Sequence, residues 1–309
     1  MRGYRRQPID EAKERRMLAG VELGGTKCIC TWGTGQDDVR GQEVIATGPP
    51  AATLAAIARV LAGWDFRALG IASFGPLELD RASPDFGTIL ATPKSLWRGT
   101  SLLPLAKDMP CIIDTDVNGA ALAEGRWGAA QGLHSWAYIT VGTGVGVGSV
   151  SGGRILRGAG HSEAGHQRIP KLAGDRFGGT CMFHGDCVEG LASGPALAAR
   201  TGREAALLPS DHPAWNHGAH AIAMLCHNLL LTTLPERIMI GGGVTNGQPQ
   251  LLAMVRDHLA NSLADYGNRG PVDQLVVPPA LGARAGWLGP LALAATIIDE
   301  PGQRRSLQK

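Results

Sequence analysis

No uninterrupted run of about 18 apolar residues occurs in this 309-residue chain, so no membrane span is expected. Charge is also scarce: 18% of residues are charged and the formal net charge is +2, which argues against a polybasic surface for nucleic acid. The opening MRGYRRQPIDEAKERR is basic and polar but lacks the apolar stretch of a secretory leader, so secretion is not expected. Cysteine is too sparse for a disulfide framework. Six residues, at 28, 30, 111, 181, 187 and 226, are spread over the chain, and four lie in apolar or strand-like runs where Cys behaves as a small hydrophobe. That usage suits a reducing cytoplasm. Glycine, by contrast, is abundant. The 44 glycines are interleaved with Val, Ile and Leu, which implies tight turns and close backbone approaches rather than disorder. The length allows two domains with substantial cores.

Apolar periodicity gives a coarse element order. After a loose arm over 1–16, Met17 to Glu22 reads as a strand, Gly24-Gly25-Thr26 as a turn and Lys27 to Trp32 as the return strand. A third strand at Glu43 to Thr47, a helix at Ala51 to Ala62 and a strand at Ala68 to Phe74 follow. Gly75 to Thr100 is rich in Gly, Pro and Thr and reads as a long loop of the kind that binds or links. Cys111 to Asp114 is a short buried strand, and Val117 to Ala129 is helical. Trp136 to Val141, the turn Gly142-Thr143-Gly144, Val145 to Val150 and Arg154 to Leu156 then repeat the opening order of strand, turn, strand, strand. Helices are expected at Leu191 to Arg200, Trp215 to Leu230 and Gln248 to Leu263, and strands at Arg237 to Ile240 and Gln274 to Val277. A last apolar helix over 283–298 precedes a polar tail, 299–309. The resulting division is a small α/β domain over 17–115, onto which the last helix packs back, and a large α/β domain over 116–282.

The stretch His161 to Glu189 concentrates potential ligands. Cys181, His184 and Cys187 stand at i, i+3 and i+6, and His166, 15 residues upstream of Cys181, could close a tetrahedron. Zinc suits thiolate and imidazole, and four protein ligands leave no open position, so such a site would be structural. The bland alternative is two buried thiols and two satisfied histidines. Glu163, His166 and Glu189 flank the knuckle. If zinc pins that loop, they become fixed acceptors for sugar hydroxyls.

Two glycine turns follow strands, Leu23-Gly-Gly-Thr-Lys27 and Val141-Gly-Thr-Gly-Val145. Each offers backbone N–H groups and a Thr hydroxyl, as a phosphate requires. Neither has Walker A spacing, and neither opens a helix as a dinucleotide fingerprint would. One such turn alone is best read as a plain hairpin; two at matching places favour phosphate binding. A third cluster, Gly241-Gly242-Gly243, follows a buried strand, where α/β proteins place ligands. Asp116 lies between a short strand and a helix. It is either the helix N-cap or a base that deprotonates a hydroxyl attacking a γ-phosphate, and the two roles are compatible.

Taken together, these motifs resemble a kinase of the ROK (repressor, open reading frame, kinase) family, most closely its bacterial fructokinase branch. The residues that carry the resemblance are Gly20 to Lys27, Ser73-Phe-Gly-Pro76, Gly87-Thr-Ile, Thr92-Pro-Lys94 with Trp97, Thr115-Asp-Val-Asn118 and Ile139 to Gly144. Glu163-Ala-Gly-His166, Cys181 to Pro195, Ile240 to Val244 and Val277-Pro-Pro279 complete the set. The resemblance implies an actin-like, ribonuclease H-like duplicated two-domain α/β fold with a cleft, a homodimer, and transfer of phosphate from ATP-Mg²⁺ to a hexose. For this branch that hexose is fructose, phosphorylated at O6. It further implies Asp116 as catalytic base and Gly75, Thr92, Thr115, Glu163, His166 and Glu189 as sugar-side residues. Gly24, Gly25, Thr26, Lys27, Gly142, Thr143 and Gly144 would bind phosphate, and Gly241, Gly242 and Gly243 the adenosine side. Zn²⁺ would be held structurally by His166, Cys181, His184 and Cys187.

Several positions depart from the family pattern. Glu22 stands where most members have Asp, though this branch often has Glu, and His184 replaces a cysteine, again as this branch does. Ser162 stands where the branch commonly has Pro. Thr115 replaces the usual Asn before the catalytic Asp, which removes one expected sugar contact and bears on the choice of sugar. Mannose, glucose or an N-acylated hexosamine are the alternative substrates. A sugar-responsive repressor of the same family would carry a winged-helix domain before the first glycine turn; the short arm here disfavours it. A zinc hydrolase needs an open metal position, which four protein ligands deny.

Overall fold

The computed structural model describes residues 17–267 and 270–299, so the expected arm at 1–16 and the tail from 300 onward lie outside the described residues. The chain divides into two compact units, Met1–Gly119 with Gly286–Lys309, and Ala120–Ala285. Among the described residues no helix is long and apolar enough to cross a membrane.

The first unit is built on a five-stranded sheet in the order β3-β2-β1-β4-β5. β1 (Leu18–Leu23) is central and almost wholly buried, which is why it reads as a continuous apolar run rather than an alternating one. It pairs antiparallel with β2 (Lys27–Gly35) and parallel with β4 (Ala68–Ser73), which in turn pairs parallel with β5 (Cys111–Thr115). The edge strand β3 (Asp38–Ala46) is longer than the expected Glu43 to Thr47, because its first half is polar and solvent-facing and carries no apolar signal. Helix α1 (Pro50–Ala62) starts with Pro in its first turn and buries Thr53, Ile57 and Leu61. The segment 75–100 has little regular structure, as expected, yet it is not loose: it sends Ile89 and Trp97 into the core, with Trp97 edge-on to Phe74.

Two glycines let the last helix of this unit reach the sheet. Gly20 and Gly70 are register partners on β1 and β4. A Cβ on Gly70 would stand 1.9 Å from the Pro290 carbonyl oxygen, and one on Gly20 2.7 Å from Pro290 Cβ.

The second unit repeats the topology with order β10-β9-β6-β7-β8. Helix α2 (Asp116–Trp127) leads in from β5. β6 (Trp136–Val141) pairs antiparallel with β7 (Val145–Ser151), β7 with β8 (Arg154–Ile155), and β6 parallel with β9 (Arg237–Gly241). In both sheets the first strand is central, flanked by its hairpin partner and by the fourth strand. The duplication inferred from element order alone is therefore a duplication of topology.

Local chemistry alters two expected elements. The helix expected over Leu191 to Arg200 is two helices, α3 (Val188–Ala192) and α4 (Gly194–Thr201). Ser193 between them is extended, and its hydroxyl accepts from Ala196 N–H, so it caps the second helix with Pro195 in the first turn. Helix α5 (Ala214–Thr232) places Trp215, Ile222 and Leu225 in the core, and α6 (Gly243–Asn246) and α7 (Gln250–Leu263) follow. The strand expected over Gln274 to Val277 shrinks to β10 (Val276–Val277), because α8 (Val272–Leu275) turns helically on the Pro271 carbonyl. Helix α9 (Arg284–Asp299) is buried nearly all round, which explains its uniform apolarity. Buried Glu124 on α2 accepts from the N–H groups of Ala129 at 2.7 Å, Ala280 at 3.1 Å and Leu281 at 2.9 Å, so three backbone donors rest on one carboxylate.

Candidate active site and metal centre

In the first unit the candidate residues gather at the carboxyl ends of β1, β4 and β5. Asp116 is the first residue of α2, half-buried, with its carboxylate accepting from Val117 N–H at 2.9 Å. The cap is not Asp116 but Thr115, whose hydroxyl accepts from the N–H of Asn118, third residue of the helix, at 3.3 Å. The one-residue shift follows from β5 running through Thr115, so that the last strand residue reaches over the first turn. Thr115 is also buried, and accepting the cap bond leaves its O–H as a donor. Asp114 beneath it accepts from Asn118 Nδ2 and from Thr115 N–H, each at 2.7 Å, and this braces the strand-to-helix junction. Gly75 precedes Pro76 through a cis peptide bond. Thr92 accepts from Lys94 N–H at 3.4 Å.

The glycines of the two turns are not there for left-handed backbone: none of Gly24, Gly25, Gly142 and Gly144 has positive φ. At Gly24, Gly25 and Gly144 other atoms crowd the Cβ position, whereas a Cβ on Gly142 would meet nothing closer than Gly243 N at 4.0 Å. A Cβ on Gly24 would meet Lys27 O at 2.6 Å, and one on Gly25 would meet Lys94 Cε at 3.1 Å. A Cβ on Gly144 would meet Glu189 Oε2 at 2.6 Å; that same oxygen accepts from Val145 N–H at 3.1 Å. Glu189 is thereby docked on the second turn. Gly142 O accepts from Gly194 N–H at 2.8 Å, tying the turn to the start of α4.

Glu22 lies behind the first turn, and a Cβ on Gly286 would come within 2.4 Å of its Oε1. Burial, and then the negative charge of Asp116, raise its pKa to about 7, against the pull of Lys27. With an ordinary value of 4.5 in the unfolded chain, unfolded Glu22 ionises first as pH rises. The stability present below that value should therefore fall between about pH 4.5 and about pH 7, by roughly 3 kcal/mol at most. Urea unfolding at about pH 5 and about pH 8 should show this decline in the native chain and lose most of it in Glu22→Gln.

The metal cluster forms as the spacing suggested. The candidate ligand atoms of His166, Cys181, His184 and Cys187 all lie within 4.8 Å of one another. His166 Nδ1 is 3.5 Å from Cys181 Sγ and 3.6 Å from Cys187 Sγ, and Cys181 Sγ is 3.7 Å from His184 Nδ1. Zinc bonds of about 2.3 Å to sulfur and about 2.1 Å to nitrogen, at the tetrahedral angle, put S and N about 3.6 Å apart. The cluster is thus consistent with a structural zinc site. Burial pushes the Cys187 thiol up to about 11, so a cation is needed to hold its thiolate. Cys181 and Gly185 exchange backbone hydrogen bonds of 3.1 and 2.9 Å, and Gly185 takes φ +64°, which closes the knuckle. His166 ends a short 3₁₀ turn, Ala164–His166. Gly165 in that turn presses on Val145, whose carbonyl oxygen would lie 1.8 Å from an added Cβ. Glu163 is exposed and pairs with His161 Nδ1 at 3.4 Å.

A cavity of about 520 Å³ opens beside the second turn, lined by Gly142, Thr143, Pro195, Trp215, Gly243 and Gln248 among others. Of the third glycine cluster only Gly243 lines it. Gly242 answers a different need, with φ +102° and Val141 O 2.4 Å from a would-be Cβ. Gly241 packs under Tyr138 and Pro279. Trp215 and Gln248 were not singled out from the sequence, and Pro195 only as the end of the Cys181 to Pro195 motif; nothing in their spacing marks them, since helices far apart in the chain bring them together.

Comparison with known proteins agrees with this geometry. The model of the ROK family matches residues 18–297, and the chain belongs to that family. A fructokinase of Pediococcus pentosaceus is 38% identical over 285 residues, covering 91% of this chain and 99% of that protein. A fructokinase of Zymomonas mobilis is 39% identical over 295 residues, covering 91% and 97%. Among solved structures, a ROK family glucokinase from Streptomyces griseus in complex with glucose and AMPPNP superposes with TM-score 0.72 at 27% identity, covering 91% of this chain and 99% of that one. The fold is accordingly the actin-like two-domain α/β fold. As a fructokinase-like ROK kinase, the protein is a phosphotransferase with an alcohol group as acceptor.

Proposed function

We propose that the chain transfers the γ-phosphoryl group of ATP to O6 of D-fructose. The observation that carries the reading is Asp116, a carboxylate at the head of α2 whose capping duty is taken by its neighbour Thr115. The fructokinase relatives supply the sugar. The primary hydroxyl gives its proton to Asp116 as O6 bonds to the γ-phosphorus, and the bond to the β–γ bridging oxygen breaks to release ADP. Gly24, Gly25, Thr26 and Lys27, and also Gly142, Thr143 and Gly144, are assigned to phosphate binding. Mg²⁺ bound with the nucleotide would neutralise phosphate charge. Adenosine is assigned to the cavity beside Thr143 and Gly243, whose volume suits a small ligand.

Sugar recognition is assigned to Gly75, Thr92, Thr115, Glu163, His166 and Glu189, the Thr115 hydroxyl accepting the cap bond and keeping its O–H to donate. Zn²⁺ on His166, Cys181, His184 and Cys187 would fix the sugar-side loops and take no part in the chemistry. A panel of fructose, mannose, glucose and N-acetylated hexosamines with ATP, scored by ADP release, tests the reading. Fructose should give the highest kcat/KM; a preference for glucose or mannose would overturn the sugar assignment, and release of ADP without any phosphosugar would overturn the kinase assignment.

A further inference from the structure

The first glycine turn is capped from outside on every carbonyl. Gly24 O accepts from Thr47 Oγ1 at 2.9 Å and Thr26 O from Thr47 N–H at 3.0 Å. Gly25 O accepts from Lys94 Nζ at 2.5 Å, across 69 residues of chain. Among the described residues, the N–H groups of Gly25 and Thr26 have no acceptor. The turn therefore presents donors outward, and an ammonium sits among them.

Three features set Lys94 apart from a surface lysine. Its stem fills the space a Gly25 side chain would need, with Cε 3.1 Å from the would-be Cβ. Its ammonium lies 5.7 Å from the centroid of the Phe74 ring, at the end of β4. No carboxylate lies within ion-pair distance of it among the described residues. A cation held by one carbonyl and one ring keeps N–H donors to spare, and an unpaired cation beside a donor-lined turn is what an incoming phosphoryl group would meet.

Resting on the kinase reading above, we propose that Lys94 is a further catalytic residue, whose ammonium donates to the oxygens of the phosphoryl group in transfer. Lys94 stays protonated throughout. It exchanges the Gly25 carbonyl for a phosphoryl oxygen while the sugar oxygen bonds to phosphorus, the bond to ADP breaks, and the sugar proton goes to Asp116. Lys94 thus supplies charge at the reacting phosphorus beside the dipoles of the Gly25 and Thr26 N–H groups.

The test is steady-state kinetics on Lys94→Met, Lys94→Gln and Lys94→Arg, with the hexose that the native chain turns over best. Lys94→Gln keeps a donor for Gly25 O but removes the charge. It should fall with Lys94→Met by about 10²-fold in kcat, with KM for the sugar nearly unchanged, and Lys94→Arg should recover part of the loss. Native-like kcat in Lys94→Gln would show that Lys94 only props the turn, which would overturn this inference and leave the kinase reading standing. A loss confined to KM for ATP would overturn it equally. A native chain that phosphorylates no hexose would overturn both.

Discussion

Asp116→Asn should lower kcat by about 10³-fold while leaving metal content, thermal midpoint and KM for ATP close to native. The expectation rests on position. Asn is nearly the same size and can keep the short contact to Val117 N–H, so α2 should start where it does now. The helix cap should survive because Thr115 makes it, and the Asp114–Asn118 hydrogen bond continues to brace the junction. What is lost is the negative charge, which also acts on Glu22, and with it the ability to accept a proton. Asn also caps helices about as well as Asp, so stability and catalysis would stay distinguishable even if residue 116 shared in the capping. Here the two separate, and near-normal turnover in Asp116→Asn would mean that the base is another group.

The second large effect concerns the metal centre. Stripping the metal, or replacing Cys187 by Ser, should raise KM for the sugar by about 10-fold or more, and KM for ATP by much less. The reason is what hangs on the ligands. His166 is itself a proposed sugar contact, Glu163 opens the turn that presents it, and Cys187 stands two residues before Glu189. Without a cation the buried Cys187 thiol stays protonated, and only weak sulfur contacts of 3.5 and 3.6 Å and the backbone bond from Val188 N–H to Gln167 O join the His166 turn to the knuckle. The cavity proposed for the nucleotide, by contrast, is walled by α4, α5 and α6, which pack through Trp215 and Leu197 rather than through the four metal-ligand candidates. Equal losses for sugar and ATP under a chelator, measured beside metal content, would instead mark the metal as a global stabiliser.

Much of this was legible from the chain alone, and the reasons differ by residue. The knuckle was legible because metal ligation fixes residue types at short spacing; Cys181, His184 and Cys187 need only a tight turn to converge, and Gly185 makes it. The duplication was legible because strand, glycine turn and strand recur in order. The purpose of the glycines was not. Gly25 yields its side chain to Lys94 and Gly144 to Glu189, contacts between residues 69 and 45 positions apart. No local pattern encodes such a contact, so the glycine-rich composition announces close approaches in general but not the atoms that make them. The cap at Thr115 rather than Asp116 turned on a single residue of strand length. Lys94 was visible inside Thr92-Pro-Lys94, but only the fold returns it to the first turn.

The central claim is the identity of the transfer, and one product analysis tests it most directly. Carbon-labelled fructose, ATP and Mg²⁺ incubated with the purified chain should give a phosphosugar whose carbon NMR signals at C6 and C5 are split by phosphorus. Splitting at C1 and C2 instead, or ADP formed with no phosphorylated sugar, would contradict the account.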